Sequence, residues 1–252
     1  MTLFRPAAVL LIALSIAACS KKSEEPAPAP AGPAGPVAAV APPAGQSWTD
    51  VAAATPEGGI RLGNPQAPIK LVEYASLTCP HCRDFTADAA DGLKQKYVAT
   101  GKVSWEYRPF ILNSLDIAAF LLARCRGAEP FFPLMEQTYA AQNDWVGAYF
   151  KQSKADLAKL GALDPTQMFV KMAQVSGLDT FYQARGLPAA QSNKCLSDVP
   201  AAEALATATN NAQSQKGVNS TPTLVINDTT WEAPRQAALW PQLDERLAQL
   251  TK

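Results

Sequence analysis

Two cysteines separated by two residues carry the chemistry of this sequence: Cys79 and Cys82, in the stretch LVEYASLTCPHCR at 71–83. The run before them is apolar and suits a buried strand, while Pro80 is the residue favoured at the first position of a helix. Cys79 is therefore predicted at a helix N-terminus, where unpaired N–H groups and the helix dipole stabilise a thiolate. His81 can add a donor or a positive charge beside the same sulfur. The pattern predicts a thiol–disulfide exchange site.

Two other interpretations of the cysteine pair stay open. The first is that the pair supplies two of the four ligands of a zinc ion, which would need a second pair elsewhere. His81 is the only histidine, however, and the remaining cysteines are isolated: Cys19, Cys125 and Cys195. A purely structural disulfide would close a loop too short to remove much chain entropy. We expect neither a metal nor a cofactor.

The stretch VEYASLTCPHC resembles the active-site segment of the DsbA-like branch of the thioredoxin superfamily, whose members carry CPHC or close variants after an apolar strand. A second stretch, GVNSTPTLVIND at 217–228, resembles the cis-proline loop of that family, here at Thr221–Pro222. The resemblance implies an α/β, thioredoxin-like fold, with a central mixed sheet flanked by helices and an inserted helical domain. The resemblance is weak through the middle of the chain, where only helical character matches.

The resemblance also implies roles for single residues. Cys79 would form a mixed disulfide and Cys82, about one helical turn further in, would resolve it. Pro222, if cis, would bring a backbone edge against the cysteines for an extended substrate, and Thr221 would lie near the sulfurs. A plain trans turn before a strand is the alternative for these two residues.

Glu73 is an acidic residue inside an otherwise apolar strand, six positions before Cys79. The resemblance aligns it with a buried acid that takes up the proton of the resolving cysteine. A desolvated carboxyl group has a raised pKa, so Glu73 could exchange protons with Cys82 near neutral pH. Alternatively, Glu73 points to the solvated side of an edge strand.

The N-terminal segments predict export. Residues 1–19 contain Arg5, then an apolar run too short to span a membrane, and end in a pattern at Ile16–Cys19 that resembles a bacterial lipobox. We expect lipidation of Cys19 after cleavage of a lipoprotein signal peptide, with an ordinary signal peptide as the alternative. Residues 20–47 are rich in Pro and Ala and predict a disordered tether. Ser20 weakly favours sorting to the outer membrane in a Gram-negative envelope.

The remainder divides into a first thioredoxin-like half at 48–111, a helical insertion at 112–198 and a second half at 199–252. The strand, helix and strand at 69–108 predict a parallel pair joined by a right-handed crossover. Helical spacing with few β-branched runs predicts helices at Leu115–Cys125, Phe131–Ala141, Lys154–Leu160, Pro165–Val175 and Leu178–Ala184. Near the C-terminus we expect a helix from Asp198 to Gly217, a hairpin turning at Asn227–Asp228, and a helix at Gln236–Leu250.

Cys125 and Cys195 are predicted to form a disulfide, because leftover cysteines of an exported protein tend to pair in an oxidising compartment. Two buried free thiols are the alternative. The 22 basic and 22 acidic residues balance to zero net charge, so nothing indicates a nucleic-acid partner.

The predicted function is that of a periplasmic, lipid-anchored monomer that introduces disulfides into cysteine-containing exported proteins and is recycled by a membrane redox partner. A stabilised Cys79 thiolate favours this oxidising direction. Thr221 points partly towards a reductase or isomerase, because threonine before that proline is common in such relatives. A redox-inert binding or chaperone module is the remaining alternative.

Overall fold

The computed structural model describes residues 37–234 and 238–252. Its centre is a six-stranded sheet with the order β1-β2-β4-β3-β5-β6. Only β3 and β4 pair in parallel, and the other neighbours are antiparallel. The strands are β1 (Ala52–Ala54), β2 (Ile60–Leu62), β3 (Ile69–Ala75), β4 (Val103–Pro109), β5 (Thr223–Ile226) and β6 (Thr229–Trp231).

The described helices fall into three groups: one that follows β3, a run between the two halves of the sheet, and two that flank the final hairpin. They are α1 (Pro80–Gly92), α2 (Ser114–Ala123), α3 (Phe131–Ala140), α4 (Gln142–Phe150), α5 (Lys154–Gly161), α6 (Pro165–Ser176), α7 (Leu178–Gln183), α8 (Ala189–Leu196), α9 (Val199–Lys216) and α10 (Leu239–Leu250). The thioredoxin-like fold with a helical insertion is confirmed.

The β3–α1–β4 unit forms as the sequence predicts. α1 continues through a π turn and a 3₁₀ turn to Thr100, and Gly101 then adopts a left-handed conformation with φ 70°. A glycine takes this conformation without the steric cost of a Cβ, so the chain can turn directly into β4. β4 then pairs with β3 along all seven of its residues.

α2 to α8 form the insertion, and their apolar faces join one continuous core with the sheet. Phe131, Phe132, Trp145 and Tyr149 are all buried there. α4 and α8 were not predicted. Neither helix has a side-chain N-cap, and α4 also carries Gly147 inside it, so the usual start signal is missing and the helical pattern is weakened.

The second half returns the chain to the sheet. Asp198 caps α9 by accepting a hydrogen bond from the Ala201 N–H, and Gly217 ends it in the left-handed region, as predicted. Asn227 and Asp228 both have positive φ, which matches the tight turn expected between β5 and β6. α10 packs on α1. The predicted start of this helix at Gln236 lies outside the described residues.

The predicted tether ends earlier than expected. Residues 20–36 lie outside the described residues, but the segment 37–47, although mostly exposed, is hydrogen-bonded to the domain. The Val37 N–H donates to the Lys252 carbonyl and the Val40 N–H donates to the Thr100 carbonyl, both at 3.0 Å. The Trp48 indole N–H donates to the Val40 carbonyl at 2.7 Å. These bonds, and burial of Val37, outweigh the local preference for an extended, solvated chain.

Candidate active site

Cys79 and Cys82 lie where β3 gives way to α1. Cys79 is the N-cap of α1, with extended backbone angles, and Pro80 follows at the first helical position. Both cysteines are free thiols. Cys79 is 5% exposed and Cys82 is fully buried, so Cys79 is the more accessible of the two sulfurs.

The surroundings of Cys79 favour its thiolate. A hydrogen bond from the Cys82 thiol has the largest effect and lowers the pKa of Cys79, against the opposing effect of burial, to about 5. The Thr221 side chain and the backbone N–H groups of Cys82 and His81 contribute to this lowering. At neutral pH a thiol with such a pKa is ~99% ionised. A sulfur in this state is nucleophilic and is also a good leaving group.

The surroundings of Cys82 favour its protonated thiol. Burial raises the pKa of Cys82 well above its ordinary value, and the hydrogen bond that it donates to the Cys79 sulfur raises it further. The negative charges of Glu73 and Cys79 act in the same direction. Cys82 therefore keeps its proton at neutral pH and needs a nearby base to react.

Glu73 is fully buried on β3, on the core side of the sheet rather than the solvated side. Desolvation raises the pKa of Glu73 to about 8, although the Trp105 indole N–H donates to its Oε2 at 3.0 Å and partly opposes the shift. Its Oε1 has no hydrogen-bond partner within the described residues. A carboxyl group in this state can hold or release a proton near neutral pH.

The Thr221–Pro222 loop adjoins the cysteines. The Thr221–Pro222 peptide bond is cis, and the Thr221 carbonyl oxygen lies 3.4 Å from the Cys79 sulfur. Ser220 is exposed next to it, so the backbone of this loop borders both the sulfur and solvent. The pairing of β5 with β3 fixes this position, because it brings the start of β5 beside the end of β3.

The loop before Cys79 is held by a buried carboxyl group that the sequence did not single out. Asp116 accepts hydrogen bonds from the N–H groups of Leu77, at 2.9 Å, and Leu112, at 3.1 Å. Burial raises the pKa of Asp116 to about 7, although these bonds and one from the Ser76 side chain oppose the shift. In the sequence, Asp116 looks like an ordinary acidic residue in the first turn of a helix capped by Asn113.

Two further helices of the insertion reach the same loop. Tyr139 of α3 donates its hydroxyl to the Ser76 carbonyl at 2.9 Å, and the hydroxyl of Tyr107 lies 2.6 Å from that of Tyr139. Gln142 of α4 donates its side-chain amide to the carbonyls of Leu77 and Cys79. No sequence signal marks Tyr139 or Gln142, since the separations from their partners exceed sixty residues.

The other predicted site residues are placed as follows. The exposed His81 side chain forms no hydrogen bond to either sulfur in the described part of the chain, and its contribution to Cys79 comes from its backbone N–H. Cys125 and Cys195 are joined by a disulfide with their Cα atoms 5.8 Å apart. Cys19 lies outside the described residues. Within residues 37–234 and 238–252, no group of three or more His, Cys, Asp or Glu side chains is arranged to hold a metal ion.

The thioredoxin family model matches residues 55–245 of this chain. A Rickettsia bellii protein named as a protein-disulfide oxidoreductase is 30% identical over 178 residues, which is 70% of this chain. A crystal structure of a protein-disulfide isomerase from Novosphingobium aromaticivorans superposes with a TM-score of 0.71 at 29% identity, covering 80% of this chain and all of that one. The crystal structure of Wolbachia pipientis α-DsbA1 gives a TM-score of 0.59 at 21% identity over 76% of this chain and 89% of that one, which shows the shared fold.

The chain spans 60% of the length of the Rickettsia bellii relative. Among the helices of the described residues, none combines the length and the apolar character that crossing a bilayer requires.

Proposed function

The chain belongs to the thioredoxin family, and on that premise we propose that it is a thiol:disulfide oxidoreductase whose Cys79–Cys82 pair donates disulfides to cysteine-containing exported proteins. One observation carries the proposal: at a helix N-terminus, the slightly exposed Cys79 sulfur, whose surroundings lower its pKa, lies beside the fully buried Cys82 thiol, whose pKa is raised. Thiol–disulfide exchange needs this asymmetry, because one sulfur must react with the substrate and the other must stay unreactive until it resolves the mixed disulfide.

The exchange begins from the oxidised pair. A substrate thiolate attacks the Cys79 sulfur, a mixed disulfide forms, and Cys82 leaves and takes up a proton from the protonated Glu73. A second substrate thiolate then attacks the substrate sulfur of the mixed disulfide and releases Cys79 as its thiolate. The substrate loses two electrons and two protons as its disulfide forms, and the enzyme pair gains both electrons. Of the two protons released to solvent, one is balanced by the proton that restores Glu73 after it has protonated Cys82, and the other stays in solvent because Cys79 remains a thiolate. The reverse sequence needs Glu73 as the base that deprotonates Cys82.

The stabilised thiolate supports the oxidising direction. Interactions that favour the Cys79 thiolate exist only in the reduced protein, so they stabilise it relative to the disulfide form and raise the reduction potential. Each full pKa unit of such stabilisation corresponds to at most ~30 mV for this two-electron couple.

Location and recycling complete the proposal. Residues 1–19 would direct export to the cell envelope, lipid on Cys19 would anchor the protein, with the outer membrane weakly favoured, and the Pro/Ala-rich segment would hold the domain away from the bilayer. A membrane redox partner would reoxidise the pair after each turnover. We propose a monomer, with thioredoxin-like halves at 48–111 and 199–252 and the insertion at 112–198. Mass spectrometry of the mature N-terminus tests the anchor, and an unmodified terminus beyond Cys19 would remove it.

A disulfide isomerase or reductase is the second candidate. It is favoured by the 29% identity to a protein named as a protein-disulfide isomerase, and by Thr221 before the cis-proline. An isomerase rearranges existing disulfides, so it acts in its reduced form and without net oxidation.

One paired assay separates the candidates. The oxidised protein is incubated with a reduced model substrate, and the reduced protein is incubated with the same substrate carrying scrambled disulfides. A disulfide donor oxidises the first substrate stoichiometrically, whereas an isomerase mainly restores activity to the second. Cys79→Ser is the control for both. Failure of the intact pair in both arms would leave only the redox-inert binding or chaperone module.

A further inference from the structure

Gln142, the first residue of α4, is 3% exposed and places its side-chain amide against the active-site loop. Its Nε2 lies 2.8 Å from the Leu77 carbonyl oxygen and 2.9 Å from the Cys79 carbonyl oxygen. A side-chain amide nitrogen carries two hydrogens, so one group satisfies both carbonyls. These carbonyls belong to the reactive cysteine and to a residue two positions before it.

The Cys79 carbonyl is also the point where α1 begins. It accepts the Arg83 N–H at 3.2 Å, which closes the first turn of the helix. The backbone N–H groups of His81 and Cys82, which stabilise the Cys79 thiolate, lie within that same turn. A bond that fixes the Cys79 carbonyl therefore fixes the sulfur relative to those donors. The positive end of the Gln142 amide dipole also points towards Cys79.

The other supports of the loop act further from the sulfur. Asp116 holds the N–H of Leu77, and Tyr139 holds the carbonyl of Ser76. Among the side-chain hydrogen bonds from the helical insertion to this loop, only that of Gln142 reaches a backbone atom of Cys79 within the described residues.

We propose that Gln142 is a positioning residue for Cys79: it ties the helical insertion to the N-terminus of α1 and keeps the Cys79 sulfur aligned with its backbone donors. The inference rests on the proposed function in that Cys79 is taken as the reacting sulfur. Through this contact the helical insertion influences the reactivity of Cys79, because the position of α4 is coupled to that of a cysteine more than sixty residues earlier.

The test uses three variants of the full chain in its reduced form. Gln142→Met keeps the approximate volume and removes both N–H donors, while Gln142→Glu keeps the shape and brings an acidic oxygen to the same carbonyls. Gln152→Ala is the matched control, because that glutamine lies two residues beyond α4 and its side-chain amide donates to the Ala148 carbonyl at 3.3 Å, away from the active-site loop. Circular dichroism checks the fold, and thiolate ultraviolet absorbance with alkylation rates gives the Cys79 titration.

We expect the pKa of Cys79 to rise by about one unit in Gln142→Met, with a ~tenfold smaller thiolate fraction in acid, and to rise further in Gln142→Glu. Gln152→Ala should titrate as the parent does. A purely structural role would lower unfolding stability in Gln142→Met without moving the titration of the folded protein, and that result would overturn the inference. If Gln142→Met does not fold, an unshifted titration in Gln142→Glu overturns it.

The proposed function is tested separately from the role of Gln142. If the parent protein neither oxidises nor rearranges substrate disulfides, the function is wrong whatever the variants do. If the parent is active and both folded Gln142 variants titrate as it does, only the role of Gln142 is wrong.

Discussion

The Trp105 indole N–H donates to Glu73 Oε2 at 3.0 Å, while Glu73 Oε1, in the same buried carboxyl group, has no hydrogen-bond partner within the described residues. A neutral donor stabilises a carboxylate less than a cation does, so burial dominates and the pKa of Glu73 is raised to about 8. The pairing of β3 with β4 creates this contact, since both residues point from neighbouring strands into the same core.

Replacing Glu73 by Gln should slow the reaction of Cys82. The amide keeps the shape but cannot take the proton, so Cys82 loses its neighbouring base. The rate at which Cys82 displaces glutathione from a Cys79 mixed disulfide should fall on the order of tenfold or more at neutral pH. The rise of this rate towards about pH 8 should also disappear. Glu203→Gln, an exposed change on α9, is the control.

The same variant should change the pH dependence of stability. The folded-state pKa of Glu73 is raised above its unfolded value, so the unfolded chain releases the proton first. Stability should fall as pH rises from about 4.5 to about 8, by up to ~5 kcal/mol. Urea unfolding of the oxidised protein at both ends of this range should show a shallower decline in Glu73→Gln. An unchanged decline and an unchanged Cys82 rate together would place the proton acceptor elsewhere.

Thr221→Val should weaken the thiolate at Cys79. The Thr221 side chain is among the groups that lower the pKa of Cys79, and valine has a similar shape without the hydroxyl group. We expect the pKa of Cys79 to rise and alkylation in acid to slow several-fold. The control is Thr230→Val, an exposed change on β6. Equal titrations of Thr221→Val and the parent would limit Thr221 to its backbone contact.

Asp116→Asn should destabilise the loop that carries Cys79. Both carboxyl oxygens of Asp116 accept backbone N–H groups, and asparagine offers only one oxygen, so one buried N–H loses its partner at a cost of ~1–3 kcal/mol. The pKa of Asp116 is raised to about 7, so the parent loses stability between about pH 4 and about pH 7 and the variant does not. The measured cost should therefore be largest in acid.

Urea unfolding of Asp116→Asn beside Asp144→Asn, an exposed change on α4, measures this cost. A cost that increases with pH would mean that the ionised form of Asp116 is the one the fold favours.

Replacing Cys125 and Cys195 together by alanine should lower the free energy of unfolding without changing the reactivity of Cys79. The bridge links residues 70 positions apart, and closing a loop of that length contributes ~4 kcal/mol at most by the chain-entropy model. Urea unfolding under non-reducing conditions measures the loss, while alkylation of Cys79 should proceed at the parental rate. Thiol counting on the denatured, oxidised parent should find no reactive pair. Two reactive groups there would mean that the bridge does not form.

Local signals account for the part of the site that the sequence predicted. The CPHC spacing, Pro80 at the start of α1 and Gly217 at the end of α9 each have a short-range physical meaning, and the structure places them accordingly. Gln142, in contrast, opens a helix without a side-chain cap, so α4 itself was not predicted. Trp105 looks like one more aromatic residue of a strand, and only the register of β3 against β4 gives it Glu73 as a partner. Supporting contacts of this kind depend on tertiary packing.

The potential of the Cys79–Cys82 pair, measured at equilibrium against glutathione together with the titration of Cys79, tests the central claim most directly. We expect Cys79 to titrate near pH 5 and the potential to lie well above the ~−270 mV of thioredoxin, towards the ~−120 mV of a strong disulfide donor. A Cys79 pKa near the ~8.5 of a free cysteine, with a potential close to that of thioredoxin, would contradict it and identify the protein as a reductant.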